Sequence, residues 1–150
     1  LKKEIVAVDT ARREDRTVDF DALIAYSRDR PNDIDVQLIE GVGGVLVPLD
    51  DRHTVIDWVS ALECPAALVV GSYLGTISHT LSAAQVLRDA GIPLAAVIVS
   101  ESENAPVPSA ETVDTLARFL PGVAPHVLPR PLDAGTRRAR SDDFIDALGL

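Results

Sequence analysis

Three short stretches bring together residue types that can hold a charged ligand. The first is Glu40-Gly41-Val42-Gly43-Gly44, directly after the apolar run Val36-Gln37-Leu38-Ile39. A carboxylate at the end of an apolar strand is costly to bury unless a cation or metal ion faces it. The glycines behind it allow positive φ and close backbone approach, so their amides can face a phosphate or carboxylate. The alternative is an exposed glutamate before an ordinary glycine turn. The second stretch is Gly71-Ser72-Tyr73-Leu74-Gly75-Thr76-Ile77-Ser78-His79-Thr80. Its two glycines lead into a helix start at Thr76 to Ser78, where free amides and the positive dipole end suit an anion. A plain capped helix start is the other reading. The third, Ser100-Glu101-Ser102-Glu103-Asn104-Ala105-Pro106-Val107-Pro108, is a polar loop that can wall a heterocycle or lie on the surface.

Ligands of an open parallel sheet sit beyond the carboxyl ends of its strands, so strands must precede each stretch. Val36 to Ile39, Ala66 to Val70 and Leu94 to Val99 supply the runs. The latter two lack alternation, as strands covered on both faces do. Helical periodicity separates them. Val55, Ile56, Trp58, Val59 and Leu62 form one apolar face, and Leu81, Ala84 and Leu87 form another that ends at Gly91. A third helix is expected from Ser109 as N-cap, with Val113, Leu116 and Leu120 inward and a stop at Pro121-Gly122. Asp19 is the expected N-cap of an earlier helix bearing Phe20, Leu23 and Ile24. A short strand at Val127-Leu128 precedes a last helix opening at Ser141. This alternation predicts an α/β fold, a parallel sheet with flanking helices.

The composition excludes several classes. With 150 residues, 47% hydrophobic and 25% charged, the chain has the size and make-up of one α/β domain, 1–150. Its net charge of −9 gives poor footing for nucleic acid. No apolar run approaches the ~20 residues of a membrane span, and no signal peptide is visible. One cysteine, Cys64, reads as a buried structural thiol in a reducing, cytoplasmic setting. His53, His79 and His126 share no metal-ligand spacing. No Ser-His-Asp arrangement, no Gly-x-Gly-x-x-Gly and no Gly-x-x-x-x-Gly-Lys-Ser/Thr loop is visible. Lys2 to Arg16 reads as a polar connection. The basic cluster Arg137 to Arg140 reads as a solvated linker, or as an anion contact. A start at Leu1 without any methionine suggests a piece of a longer product.

Together these motifs resemble dethiobiotin synthetase, the ATP-dependent ring-closing enzyme of biotin synthesis. The family's Glu-Gly-x-Gly-Gly strand end stands at Glu40 to Gly44, and its Val-Val-Gly-x-x-Leu-Gly-x-Ile-Asn-His at Val69 to His79. Asp57-Trp58, Ala84-Gln85-Val86-Leu87, Ala90-Gly91 and Ala11-Arg12 also match in type and position. The resemblance implies a P-loop NTPase-like fold, a homodimer, and Mg-ATP, carbon dioxide and 7,8-diaminopelargonate as reactants. One amine of the substrate takes up carbon dioxide as a carbamate, ATP activates it as a mixed anhydride, and the second amine closes the ureido ring. On this resemblance Glu40 holds Mg²⁺, and Glu40, Gly41, Val42 and Gly43 pass close to the nucleotide phosphates. Ser100, Glu101, Pro129, Arg130 and Pro131 build the adenine pocket. Gly43, Gly44, Thr76, Ile77, Ser78 and Thr112 face the substrate, near the partner subunit.

The departures are equally specific. Only thirty-nine residues precede Glu40, too few for the family's phosphate loop with its catalytic lysines, so no catalytic residue is assigned in this chain. Ser100 and Ser78 stand where the family has asparagines, and Thr112 where it often has a tyrosine. A hydroxyl cannot pair in two directions with a purine edge as an amide does. Two alternatives follow: a non-catalytic relative kept for binding or dimerisation, and a related ATP-dependent amidoligase.

Overall fold

The computed structural model describes residues 17–31, 33–34, 36–103 and 105–130. The expectations for Lys2 to Arg16, Pro131, Arg137 to Arg140 and the helix from Ser141 lie outside these residues. The described residues fall into two compact units, one within Leu1–Cys64 and Val86–Pro93, the other within Pro65–Gln85 and Leu94–Leu150.

In the first unit, α1 (Phe20–Arg28) starts where Asp19 Oδ1 accepts the Ala22 amide at 3.0 Å. Helix α2 (Val55–Leu62) starts where Asp57 Oδ2 accepts both the Thr54 amide and the Thr54 hydroxyl, at 2.7 and 2.8 Å. These are the N-terminal carboxylates that unbonded amides and the helix dipole favour. The apolar faces of both helices meet around buried Leu49, Val55 and Trp58, with Phe20, Leu23, Ile24 and Leu62 packed against them. One polar thread crosses this core. Trp58 Nε1 donates to Ser27 Oγ at 3.1 Å, and Ser27 Oγ donates to the Leu23 carbonyl at 2.7 Å.

The second unit is a parallel sheet in the order β1 (Ala66–Gly71), β2 (Leu94–Ser100), β3 (Pro125–Leu128). Helix α3 (Thr76–Asp89) connects the first pair and α4 (Ser109–Phe119) the second. Val97, Val99, Ala84, Leu116 and Leu120 form its buried core, and Leu81 and Val113 pack against them as their spacing predicts. The α3 end closes on Gly91, whose amide bonds to the Arg88 carbonyl while Ile92 reaches Leu87.

Four expectations are corrected. Val36 to Glu40 form no strand, and Leu38 is 86% exposed. An apolar run becomes a strand only where a neighbour bonds its backbone, and among the described residues it has no ladder partner. Strand β2 is covered on both faces, but β1 alternates, with Ala67 and Val69 exposed. It is the edge of the described sheet, so its continuous apolar run overstates its burial. Cys64 is half-buried rather than buried. Helix α4 is capped by Pro108, whose carbonyl accepts the Glu111 amide at 3.0 Å, so Ser109 is the first helical residue and not the cap.

Candidate nucleotide and carboxylate site

The sheet register sets Gly71 beside Ser100 and Ser100 beside Leu128, so all three strands end at one level. The loops that follow are tied together there. Ser72 and Ser102 exchange hydrogen bonds: the Ser102 amide donates to Ser72 Oγ at 2.7 Å, and the Ser72 amide to Ser102 Oγ at 3.2 Å. The Glu101 amide bonds to the Leu128 carbonyl at 3.0 Å, and the Arg130 amide to Glu101 Oε2 at 3.1 Å. These are contacts of sequence-distant small polar residues, and periodicity gives no sign of the Ser72–Ser102 exchange. Its only trace in the sequence is a serine within two residues of each strand end.

From β1 the chain turns at Gly75, φ +96°, straight into α3. The Thr76 hydroxyl donates back to the Gly71 carbonyl, and the Thr80 hydroxyl to Thr76 O at 2.6 Å. Thr76 is buried, whereas Ser78 lies on the surface. The Thr76 amide is used by Tyr73 O, while those of Ile77 and Ser78 are first-turn amides without an intrahelical acceptor. Helix α2 makes the contrast: its Val55, Ile56 and Asp57 amides are all satisfied, by the carbonyls of Val47, Val45 and Thr54. So, among the described residues, the α3 start keeps donors without an acceptor where the α2 start has used its own. The Tyr73 hydroxyl lies 3.0 Å from His79 Nδ1 at the same turn.

Beyond β2 and β3 lies a pocket of about 790 Å³, lined by Glu101, Ser102, Glu103, Ala105, Pro106, Val107, Pro108, Ser109 and Arg130. The Arg130 guanidinium stands 3.7 Å from Glu103. The pocket takes in Glu101 and Arg130 of the predicted adenine set. Ser100 ends β2 half-buried and Pro129 is half-buried beside Arg130, but neither lines the pocket. Of the two readings of the loop ending at Pro108, a wall for a heterocycle or a plain surface loop, its place along the pocket fits the first, and Ser109, expected only as a cap, lines the pocket as well. Thr112 is 2% exposed on α4.

In the first unit, Glu40, Gly41, Val42, Gly43 and Gly44 are all exposed, as an exposed glutamate before a glycine turn would be. Gly43 has φ +91°, and a Cβ there would sit 2.7 Å from Val47 Cγ2, so only glycine fits. Gly41 faces Val55 and Trp58, where a Cβ would come within 3.2 Å. Packing thus explains both glycines before any ligand is invoked. No group of three or more His, Cys, Asp or Glu gathers among the described residues. Mg²⁺ nevertheless fits one accessible carboxylate, because it binds through one or two such groups with waters and substrate phosphates.

A parallel sheet with flanking helices, whose strand ends carry these loops, defines an α/β fold of the P-loop NTPase-like class. The family model described as "AAA domain" matches residues 1–128. An ATP-dependent dethiobiotin synthetase BioD of Acidiphilium cryptum is 46% identical over 78% of this chain and 53% of its own length. The one of Caulobacter sp. strain K31 is 43% identical over 90% of the chain and 56% of its length. BioD 1 of Escherichia coli O157:H7 is 33% identical over 83% and 57%. The chain belongs to this AAA-domain family and is dethiobiotin-synthetase-like. It spans about half the length of the curated relatives it matches. Among the described residues no helix is long and apolar enough to cross a membrane.

Proposed function

We propose that this chain supplies the nucleotide and substrate-carboxylate sites of a cytoplasmic, homodimeric, ATP-dependent dethiobiotin synthetase. The substrates are 7,8-diaminopelargonate, carbon dioxide and Mg-ATP. The free amides of Ile77 and Ser78, at the start of α3 beyond the Gly75 turn, carry this reading. They hold the distal carboxylate of the diamine, which fixes its two amines for carbamate formation and ring closure. Glu101 and Arg130 supply the contacts to adenine from the pocket they line, with Ser100 and Pro129 next to them in sequence. Glu40 would hold Mg²⁺, an ion that would neutralise charge on the phosphates, and Gly41, Val42 and Gly43 would lie along their path. The 150 residues contain no phosphate-loop lysine motif, so phosphoryl transfer requires one from outside this sequence.

The test is calorimetric binding of 7,8-diaminopelargonate and of its methyl ester. A carboxylate held by helix amides predicts at least tenfold weaker binding of the ester, a loss on the scale of a charge-assisted hydrogen bond. Equal affinities would overturn the assignment. The burial of Thr112 favours a second reading, a non-catalytic relative, because a 2% exposed side chain reaches nothing outside its own fold. That reading predicts no ring closure, whether or not the diamine binds.

A further inference from the structure

We infer that Ser109 is the residue through which the pocket beside α4 recognises the base of its nucleotide, an inference that rests on the nucleotide-binding function proposed above. Ser109 lines the 790 Å³ pocket and is 6% exposed. Its Oγ is buried without a hydrogen-bond partner, alone in this respect among the described residues. A buried hydroxyl left unpaired lowers stability, so such groups are rare and each calls for an explanation, a bound partner among them. Serine χ1 has more than one staggered well, so the hydroxyl of a residue that lines a pocket can turn to meet a ligand there.

The surroundings select which part of a nucleotide enters. Glu101 and Glu103 face the pocket against one cation, Arg130, and the Arg130 guanidinium already lies beside Glu103. That balance of charge disfavours phosphates. Pro106 and Val107 offer apolar surface to a flat ring. The Ser109 amide and hydroxyl then present donors at the first turn of an eleven-residue helix. A purine carries ring nitrogens that accept and an exocyclic group at its edge, and a hydroxyl can donate or accept to either. The base end of a purine nucleotide fits this arrangement, with the phosphates directed away from the two carboxylates.

The experiment is calorimetric titration of the full chain and its Ser109→Ala variant with ATP, adenosine and GTP, alongside thermal melting. The inference predicts that Ser109→Ala weakens ATP and adenosine by the same factor, about 5- to 20-fold. It also predicts a melting temperature at or above that of the wild type, because an unpaired buried hydroxyl has been removed. Unchanged affinity for ATP and adenosine would overturn the role of Ser109 and leave nucleotide binding standing. A loss for ATP without one for adenosine would place the hydroxyl at the phosphates and overturn it too. A lower melting temperature would show that the hydroxyl serves the fold, and the role in base recognition would fall. If the wild type bound neither ATP nor adenosine, the proposed function itself would fall with it.

Discussion

Asp50 shows how one side chain can fix the turn that precedes α2. Its Oδ1 accepts the amides of Arg52 and His53 at 2.7 and 2.6 Å, and its Oδ2 lies 2.7 Å from His53 Nδ1. The His53 ring stacks on Phe20 with centroids 3.9 Å apart. The hydrogen bond from His53, with those of the two amides, holds the Asp50 carboxyl down at about 2, against an ordinary 3.8. A carboxyl depressed in the folded state adds stability above its unfolded pKa and loses it as the pH falls through the folded one. Wild-type stability should therefore drop between pH 3.8 and about 2 more steeply than that of Asp50→Asn, measured by urea unfolding across that range. Ser27→Ala strands the Trp58 indole N–H in the core and should cost about 1–3 kcal/mol at pH 7 by the same method. Of such contacts little can be read in a sequence. Glu40 stands out there because a carboxylate after an apolar run is unusual, but it is exposed, and among the described residues no strand pairs with that run. Ser109 reads as a helix cap in the sequence, and only the Pro108 backbone shows that it is not.

Helices and strands differ in how far local chemistry determines them. Asp19 caps its helix as the sequence predicts, and α2 forms where its apolar period predicts, with a Thr54–Asp57 capping box that the period alone does not announce. A strand has no such internal partner. Val36 to Ile39 and Ala66 to Val70 are both mostly apolar, yet among the described residues only the second meets a neighbour, β2. The open face of β1 is testable. Val69 is 61% exposed and Val97 fully buried, so Val69→Thr should change stability by less than about 0.5 kcal/mol. Val97→Thr, which buries a hydroxyl, should cost about 1–3 kcal/mol in the same denaturant titration. At the Gly43 turn the backbone sets the cost: Gly43→Ala must hold a Cβ at φ +91° against Val47. A loss of about 1–3 kcal/mol in thermal unfolding is expected.

At the scale of the molecule, two motifs at the right separation made the family legible in the sequence, and the parallel α/β architecture follows from the alternation of elements. What the sequence left open is how a chain that spans about half the length of these relatives participates in chemistry. Capped helices and an apolar core can survive in a relative that has lost catalysis, so fold alone does not decide between a ligase and a binding domain. The decisive measurement is dethiobiotin formation from 7,8-diaminopelargonate, labelled bicarbonate and Mg-ATP by a chimera. In it, this chain replaces the matching 137-residue segment of the Caulobacter sp. strain K31 enzyme. A ligase role predicts turnover within about tenfold of the parent, and a fall of at least 100-fold for Glu40→Gln at an unchanged melting temperature. A chimera that folds with the parent's melting behaviour yet forms no dethiobiotin would contradict that role.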